Sequence, residues 1–157
     1  MLHVEVSKDF GRICIQGALQ WERGTLALLG ASGSGKSVLL KMIAGLIKPD
    51  GGRITYGEHV FYDSGTKQWM PPEARRVGYL FQHYALFPKM TVEENIGMPL
   101  YKCSAQVRRQ KVLALAERFQ VADQLKKWPD QLSGGQGQRV ALARMLEMES
   151  RIVAESS

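Results

Sequence analysis

The 157-residue sequence predicts an α/β fold, with strands gathered in its first half and helices in its second. Three observations carry this reading. A glycine-rich octapeptide, Gly30-Ala31-Ser32-Gly33-Ser34-Gly35-Lys36-Ser37, stands between the apolar run Thr25 to Leu29 and the mostly apolar run Val38 to Ala44. Short stretches on either side alternate apolar and polar residues at the period of a strand. Beyond Thr91 the apolar positions recur at helical spacing, after side chains that cap helices.

The elements follow in order. His3 to Val6 alternates, and Ile13 and Ile15 alternate again, which predicts two strands before the octapeptide. Thr25 to Leu29 reads as a buried strand entering the glycine loop, and Val38, Leu39, Leu40, Met42, Ile43 and Ala44 as an apolar helix leaving it. Pro49-Asp50-Gly51-Gly52 is a turn before a short strand at Ile54 to Tyr56. Val77 to Phe81 is a further apolar stretch, ending at Gln82. Thr91 with Glu94 has the spacing of a capping box, and Ser104 starts another helix, whose face is Val112, Leu115, Ala116 and Phe119. Ser133 with Gln136 repeats the capping-box spacing before an apolar stripe of Leu142, Met145 and Leu146.

The octapeptide fits GxxxxGK[ST], with Gly30, Gly35, Lys36 and Ser37 at the four fixed places. Glycines let a backbone wrap a polyphosphate with its N–H groups pointing inward, and the dipole of the following helix adds to the attraction. Lys36 would reach the β- and γ-phosphates, and the Ser37 hydroxyl would ligate magnesium. The plainer reading is a strand-to-helix turn with a solvated lysine. Leu132-Ser133-Gly134-Gly135-Gln136 offers a second helix start with free N–H groups, although such a turn taken alone is more often structural.

With both motifs in this order, the chain resembles the ATP-binding subunit of an ABC transporter, from about residue 2 to about residue 153. The resemblance implies a P-loop ATPase core with N-terminal antiparallel strands (1–83), a helical subdomain (84–135), and a signature helix running into a strand (136–157), all within one domain. It implies that ATP and Mg²⁺ are held by Gly30 to Val38, that adenine stacks on Phe10, and that Gln82 touches the magnesium and the attacking water. Ser133, Gly134, Gly135 and Gln136 correspond to the signature turn that closes over the γ-phosphate held by a second ATPase subunit. The loop from Gln82 to Pro88, with Tyr84, Leu86 and Phe87, corresponds to the surface that receives a helix of an integral-membrane permease. That places the chain in the cytoplasm, on the inner face of the membrane. Residues 77–96 resemble the importer branch that takes up oxyanions and small solutes, and residues 60–76 are most similar to molybdate importers, with sulfate and then polyamine or sugar importers next.

One departure stands out. In relatives the signature helix is followed by a polar turn, four apolar residues and Asp-Glu. Counted from Arg144, that spacing puts Ile152 to Glu155 on the strand and Ser156-Ser157 at the acidic pair, so both carboxylates are missing. The expectation is a truncated or frameshifted reading frame whose product binds ATP and hydrolyses it poorly. General-base assistance alone is worth about 10² to 10⁴ in rate. The alternatives are a non-catalytic nucleotide-binding or permease-docking module, and a different P-loop kinase.

Composition agrees. Two cysteines suggest no disulfide framework. No apolar run approaches the ~18 residues of a membrane span. The charge of +6 raises nucleic acid as a partner, but no basic stripe is interleaved with aromatics, and pairs such as Arg75-Arg76 read as solvated surface. The three histidines have no ligand spacing.

Overall fold

The computed structural model describes residues 1–81, 83–146 and, as a strand, 152–155. Two compact units divide the chain, Met1–Val77 and Gly78–Glu155.

The first unit is built on a five-stranded antiparallel sheet of order β2-β1-β3-β4-β5. Its interior strand β1 (Leu2–Asp9) buries Leu2, Val4 and Val6 on one face, which is the alternation visible in the sequence. β1 pairs with β2 (Cys14–Trp21) from Leu2↔Trp21 to Asp9↔Cys14, and with β3 (Gly51–Tyr56) from Leu2↔Tyr56 to Ser7↔Gly51. β4 (His59–Asp63) and β5 (Gln68–Trp69) extend the sheet. The core adds Ile54, Phe61 and Tyr62, together with Met42, Ile43 and Ala44 from helix α1 (Lys36–Ala44). A short helix α2 (Pro72–Arg75) closes the unit.

Thr25 to Leu29 departs from expectation. It forms no strand and is not buried, with Leu29 92% exposed. A β-strand needs a neighbour to take its N–H and C=O groups. Among the described residues of this unit none pairs with it, so an apolar run that would suit a buried strand stays open to water.

Arg75 is the second departure. The sequence suggests a solvated basic pair, whereas the Arg75 side chain is 1% exposed. It donates from Nη1 to the carbonyls of Met42 (2.8 Å) and Ile43 (2.9 Å), from Nε to Met70 (2.8 Å) and from Nη2 to Phe61 (3.1 Å). Its guanidinium lies 4.4 Å from the ring centre of Trp69. The last carbonyls of a helix lack intrahelical donors, and a buried planar cation supplies them here at the end of α1.

The second unit joins a two-stranded sheet, β6 (Val77–Leu80) with β7 (Ile152–Glu155), to three helices: α3 (Val92–Gly97), α4 (Ala105–Arg118) and α5 (Gly134–Leu146). The expected caps form. The Thr91 hydroxyl accepts from the Glu94 N–H while Glu94 accepts from the Thr91 N–H, and Ser104 accepts from the Val107 N–H. Val112, Leu115 and Ala116 of α4 are buried with Val92, Ile96, Val140 and Ala143, and Phe119 packs partly buried against them.

The buried face of α5 differs from the predicted stripe. Met145 is buried, but Leu142 is only half-buried and Leu146 is exposed, and the face instead uses Val140, Ala141 and Ala143. α5 is wedged between two clusters: Val140 and Ala143 pack with α3 and α4, while Ala141 and Met145 pack with Leu80. Small residues permit that close approach, so side-chain size misreports which face is covered.

Candidate nucleotide-binding site

The octapeptide forms a loop whose left-handed residues are glycines, Gly33 at φ 79° and Gly35 at φ 91°. Gly35 is the N-cap of α1 and has no side-chain capping bond, and the first turn carries no acidic residue. The opening N–H groups of a helix have no intrahelical acceptors, so this end of α1 favours an anion. Lys36 folds back over the loop, donating from Nζ to the carbonyls of Gly30 (2.7 Å) and Ala31 (2.9 Å), while the Ser34 N–H donates to Ala31 (3.2 Å). Ser32, Ser34 and Ser37 are exposed and Val38 is half-buried.

The loop is seated on β2 by close approaches. A Cβ on Gly35 would lie 2.8 Å from Ile15 Cγ2, and a Cβ on Gly17 would lie 2.7 Å from Leu39 Cδ1. Phe10 sits at the turn between β1 and β2, where its N–H donates to Ile13 O at 3.0 Å, and it is 52% exposed rather than part of the core. An exposed ring on a fixed turn is a suitable stacking surface.

The Ser133 turn forms its capping box. The Ser133 N–H donates to Gln136 Oε1 at 2.9 Å, and the Gln136 N–H donates to Ser133 Oγ at 3.3 Å. Gly134 and Gly135 are exposed, leaving the opening of α5 accessible.

The loop 83–90 lies against the same helix. Tyr84 (φ 59°) and Ala85 (φ 44°) both occupy the left-handed region, which non-glycine residues adopt only when their surroundings enforce it. Arg144 bonds to both of these residues, and Asn95 secures the chain just beyond them. Arg144 donates from Nη1 to Ala85 O (2.9 Å) and from Nη2 to Tyr84 O (3.2 Å). Asn95, fully buried, accepts the Phe87 N–H (2.8 Å) and donates to the carbonyls of Phe87 (3.2 Å), Met90 (3.0 Å) and Thr91 (3.0 Å). Tyr84 and Leu86 are half-buried and Phe87 is exposed. Gln82 lies outside the described residues, as does the Ser156-Ser157 position.

Sequence reasoning missed Arg75, Asn95 and Arg144. Asn95 stands three residues after buried Val92, and Arg144 four after buried Val140, so helical periodicity places both toward apolar faces. A polar residue at such a phase was the available signal.

Among the described residues, no group of three His, Cys, Asp or Glu could hold a metal ion. Magnesium bound through nucleotide phosphates and one serine hydroxyl fits that donor set. No helix among them is long and apolar enough to cross a membrane.

A family model described as ABC transporter matches residues 19–154. The chain belongs to the ABC transporter family. The match spans both the glycine loop and the Ser133 turn of this ABC chain. A sulfate/thiosulfate import ATP-binding protein of Thermosynechococcus vestitus is 46% identical over 154 residues, covering 94% of the chain and 44% of the relative. A probable sulfate/thiosulfate import ATP-binding protein of Chlorella vulgaris is 41% identical over 153 residues, covering 94% and 62%. A molybdenum import ATP-binding protein of Rhodospirillum rubrum is 37% identical over 153 residues, covering 98% and 41%. The chain thus spans between 41% and 62% of the length of these relatives. A dimeric ATP-binding cassette solved in a post-hydrolysis state with ADP and Pi superposes with a TM-score of 0.81 at 29% identity, covering 99% of the chain and 73% of the cassette.

Proposed function

We propose that this ABC chain is the ATP-binding part of an importer for a tetrahedral oxyanion, with sulfate or thiosulfate and molybdate as the candidate solutes. The observation that carries the reading is the glycine loop, where an uncapped helix N-terminus, two left-handed glycines and a lysine folded across the loop converge. ATP supplies the phosphates. The first-turn N–H groups and Lys36 hold them, the Ser37 hydroxyl reaches the magnesium that they carry, and Phe10 stacks on adenine. Gln82 is assigned to the metal and attacking water. Ser133 to Gln136 face the phosphates bound by a second copy. The loop after Gln82 meets a permease at the inner face of the membrane.

Binding is the part that this polypeptide supports on its own. Ile152-Val153-Ala154-Glu155-Ser156-Ser157 contains no adjacent acidic pair to share magnesium with Ser37 and to orient water. The 157-residue polypeptide should therefore bind MgATP and release phosphate slowly. Calorimetric titration with MgATP tests the first half, with Lys36→Ala expected to lose binding at least tenfold, since a charged hydrogen bond to phosphate is worth about 1.5–3 kcal/mol. Steady turnover at the rate of the longer relatives would sink the second half. Growth on limiting sulfate or limiting molybdate, in cells lacking the corresponding ATPase, separates the solutes.

A further inference from the structure

The β1–β3 ladder ends at Ser7↔Gly51, yet β1 continues to Asp9. Asp50 covers the gap. Its N–H donates to Ser7 O at 2.9 Å, and its carboxylate then stands where the next acceptor of the ladder would be, taking the Asp9 N–H on Oδ2 at 2.9 Å and Lys8 Nζ on Oδ1 at 2.8 Å. Asp9 passes the constraint on, accepting the Gly11 N–H on its own Oδ1 at 2.7 Å. The turn that carries Phe10 is thus tied from both sides, by the Asp50–Asp9–Gly11 relay and by the bond from Phe10 N to Ile13 O. The ring is too exposed for packing to hold it, so the backbone of the turn sets its place. Asp50 itself follows α1 by one short connection, after the helix ends at Gly45.

We propose that Asp50 is a positioning residue for base recognition: its carboxylate fixes the Phe10 turn relative to the helix that opens at the phosphate loop. Adenine and triphosphate are two ends of one ligand, and both are engaged at once only if the two anchors are correctly spaced. The proposal rests on the nucleotide-binding reading above. The Lys8–Asp50 ion pair is exposed and weak in water, so the directional part is the charge-assisted bond from the Asp9 N–H.

Titration calorimetry of the 157-residue chain with MgATP and, separately, with magnesium and inorganic triphosphate tests this. Asp50→Ala should raise the Kd for ATP by about three- to tenfold, the scale of one lost hydrogen bond, and leave that for triphosphate unchanged. Asp50→Asn, which keeps an oxygen for the Asp9 N–H, should restore most of the loss, and Lys8→Met should cost less than Asp50→Ala. An unchanged ATP affinity in Asp50→Ala, or an equal loss for both ligands, overturns the proposal. Should Asp50→Ala lose its folded circular dichroism spectrum, Asp50→Ser, too short to reach both donors, carries the same comparison. Phe10→Ala is run beside them. If it leaves ATP binding unchanged, the stacking assignment itself fails and takes the proposal with it; if it selectively weakens ATP while Asp50→Ala does not, only the role of Asp50 is wrong.

Discussion

Arg144 donates to the carbonyl of Ala85 at 2.9 Å across 59 positions of sequence. The bond joins the helix that opens at the Ser133 turn to the loop that follows Gln82, and a second bond to Tyr84 O makes the guanidinium a fork over two successive left-handed residues. Burial holds the group below the usual arginine range, and its hydrogen bonds go to neutral oxygens of Tyr84, Ala85 and Asn95. Arg144→Met should lower stability by about 1–2 kcal/mol, because the part-buried Tyr84 O loses its donor while the exposed Ala85 O can turn to water. Arg144→Lys should recover little, because an ammonium cannot reproduce the planar fork. Urea midpoints followed by circular dichroism decide it, and a lysine variant equal to the parent would show that charge alone suffices.

Asn95 secures the same loop from α3 with one accepted and three donated hydrogen bonds. Asn95→Ala should cost on the order of 3 kcal/mol, since several buried backbone groups lose partners together. Asn95→Asp is the sharper variant. It keeps the acceptor for the Phe87 N–H and faces the Arg144 guanidinium, whose Nη1 lies 3.5 Å from Asn95 Oδ1, but it turns an oxygen toward the carbonyls of Phe87, Met90 and Thr91, so it should remain clearly destabilising. An aspartate variant near parental stability would mean that the amide donors contribute little.

What the sequence made legible is local. Capping boxes at Thr91 and Ser133 and the cap at Ser104 are complete within four residues, so side chain and backbone must meet if a helix forms at all. The alternation of β1 and the glycine loop are equally self-contained. What was illegible depends on distant partners. Thr25 to Leu29 has the composition of a strand, but strand formation is decided by a neighbour, and composition cannot say whether one pairs. Arg75 and Arg144 look like ordinary basic residues until α1 and the 83–90 loop bring carbonyls to them. The stripe of α5 was misread because alanines, not leucines, mark its covered faces.

Arg75 provides a test of the fold around the nucleotide loop. Arg75→Met should destabilise the first unit by about 2–4 kcal/mol, combining the lost bond to Ile43 O at the end of α1, where Met42 O keeps the Gly45 N–H, with loss of stacking on Trp69. Burial pushes the Arg75 guanidinium down to about 10. A folded value below the unfolded one means that the unfolded chain binds the extra proton only above that pH, so stability gains from this group only on the alkaline side. Between pH 6 and 9 the side chain is charged in both states, and the deficit of Arg75→Met should be constant. A deficit that varies across that window would place the group's titration elsewhere.

The Glu94 carboxyl is held below its ordinary 4.5, first by the Thr91 N–H and then by the Thr91 hydroxyl. For a carboxylate depressed on folding, the contribution is present above the unfolded value and is lost as pH falls through the lower folded one. The parent chain should therefore shed this contribution as pH falls from the ordinary carboxylate value of 4.5 through the lower folded one. Glu94→Gln retains an acceptor for the Thr91 N–H but has no proton to take up, so its curve of urea midpoint against pH should be flatter over that interval. Thr91→Val removes the hydroxyl donor and leaves the N–H, which should flatten the curve only in part. Parallel curves for parent and Glu94→Gln would show that the capping box is held by geometry alone, with the charge on Glu94 contributing nothing to it.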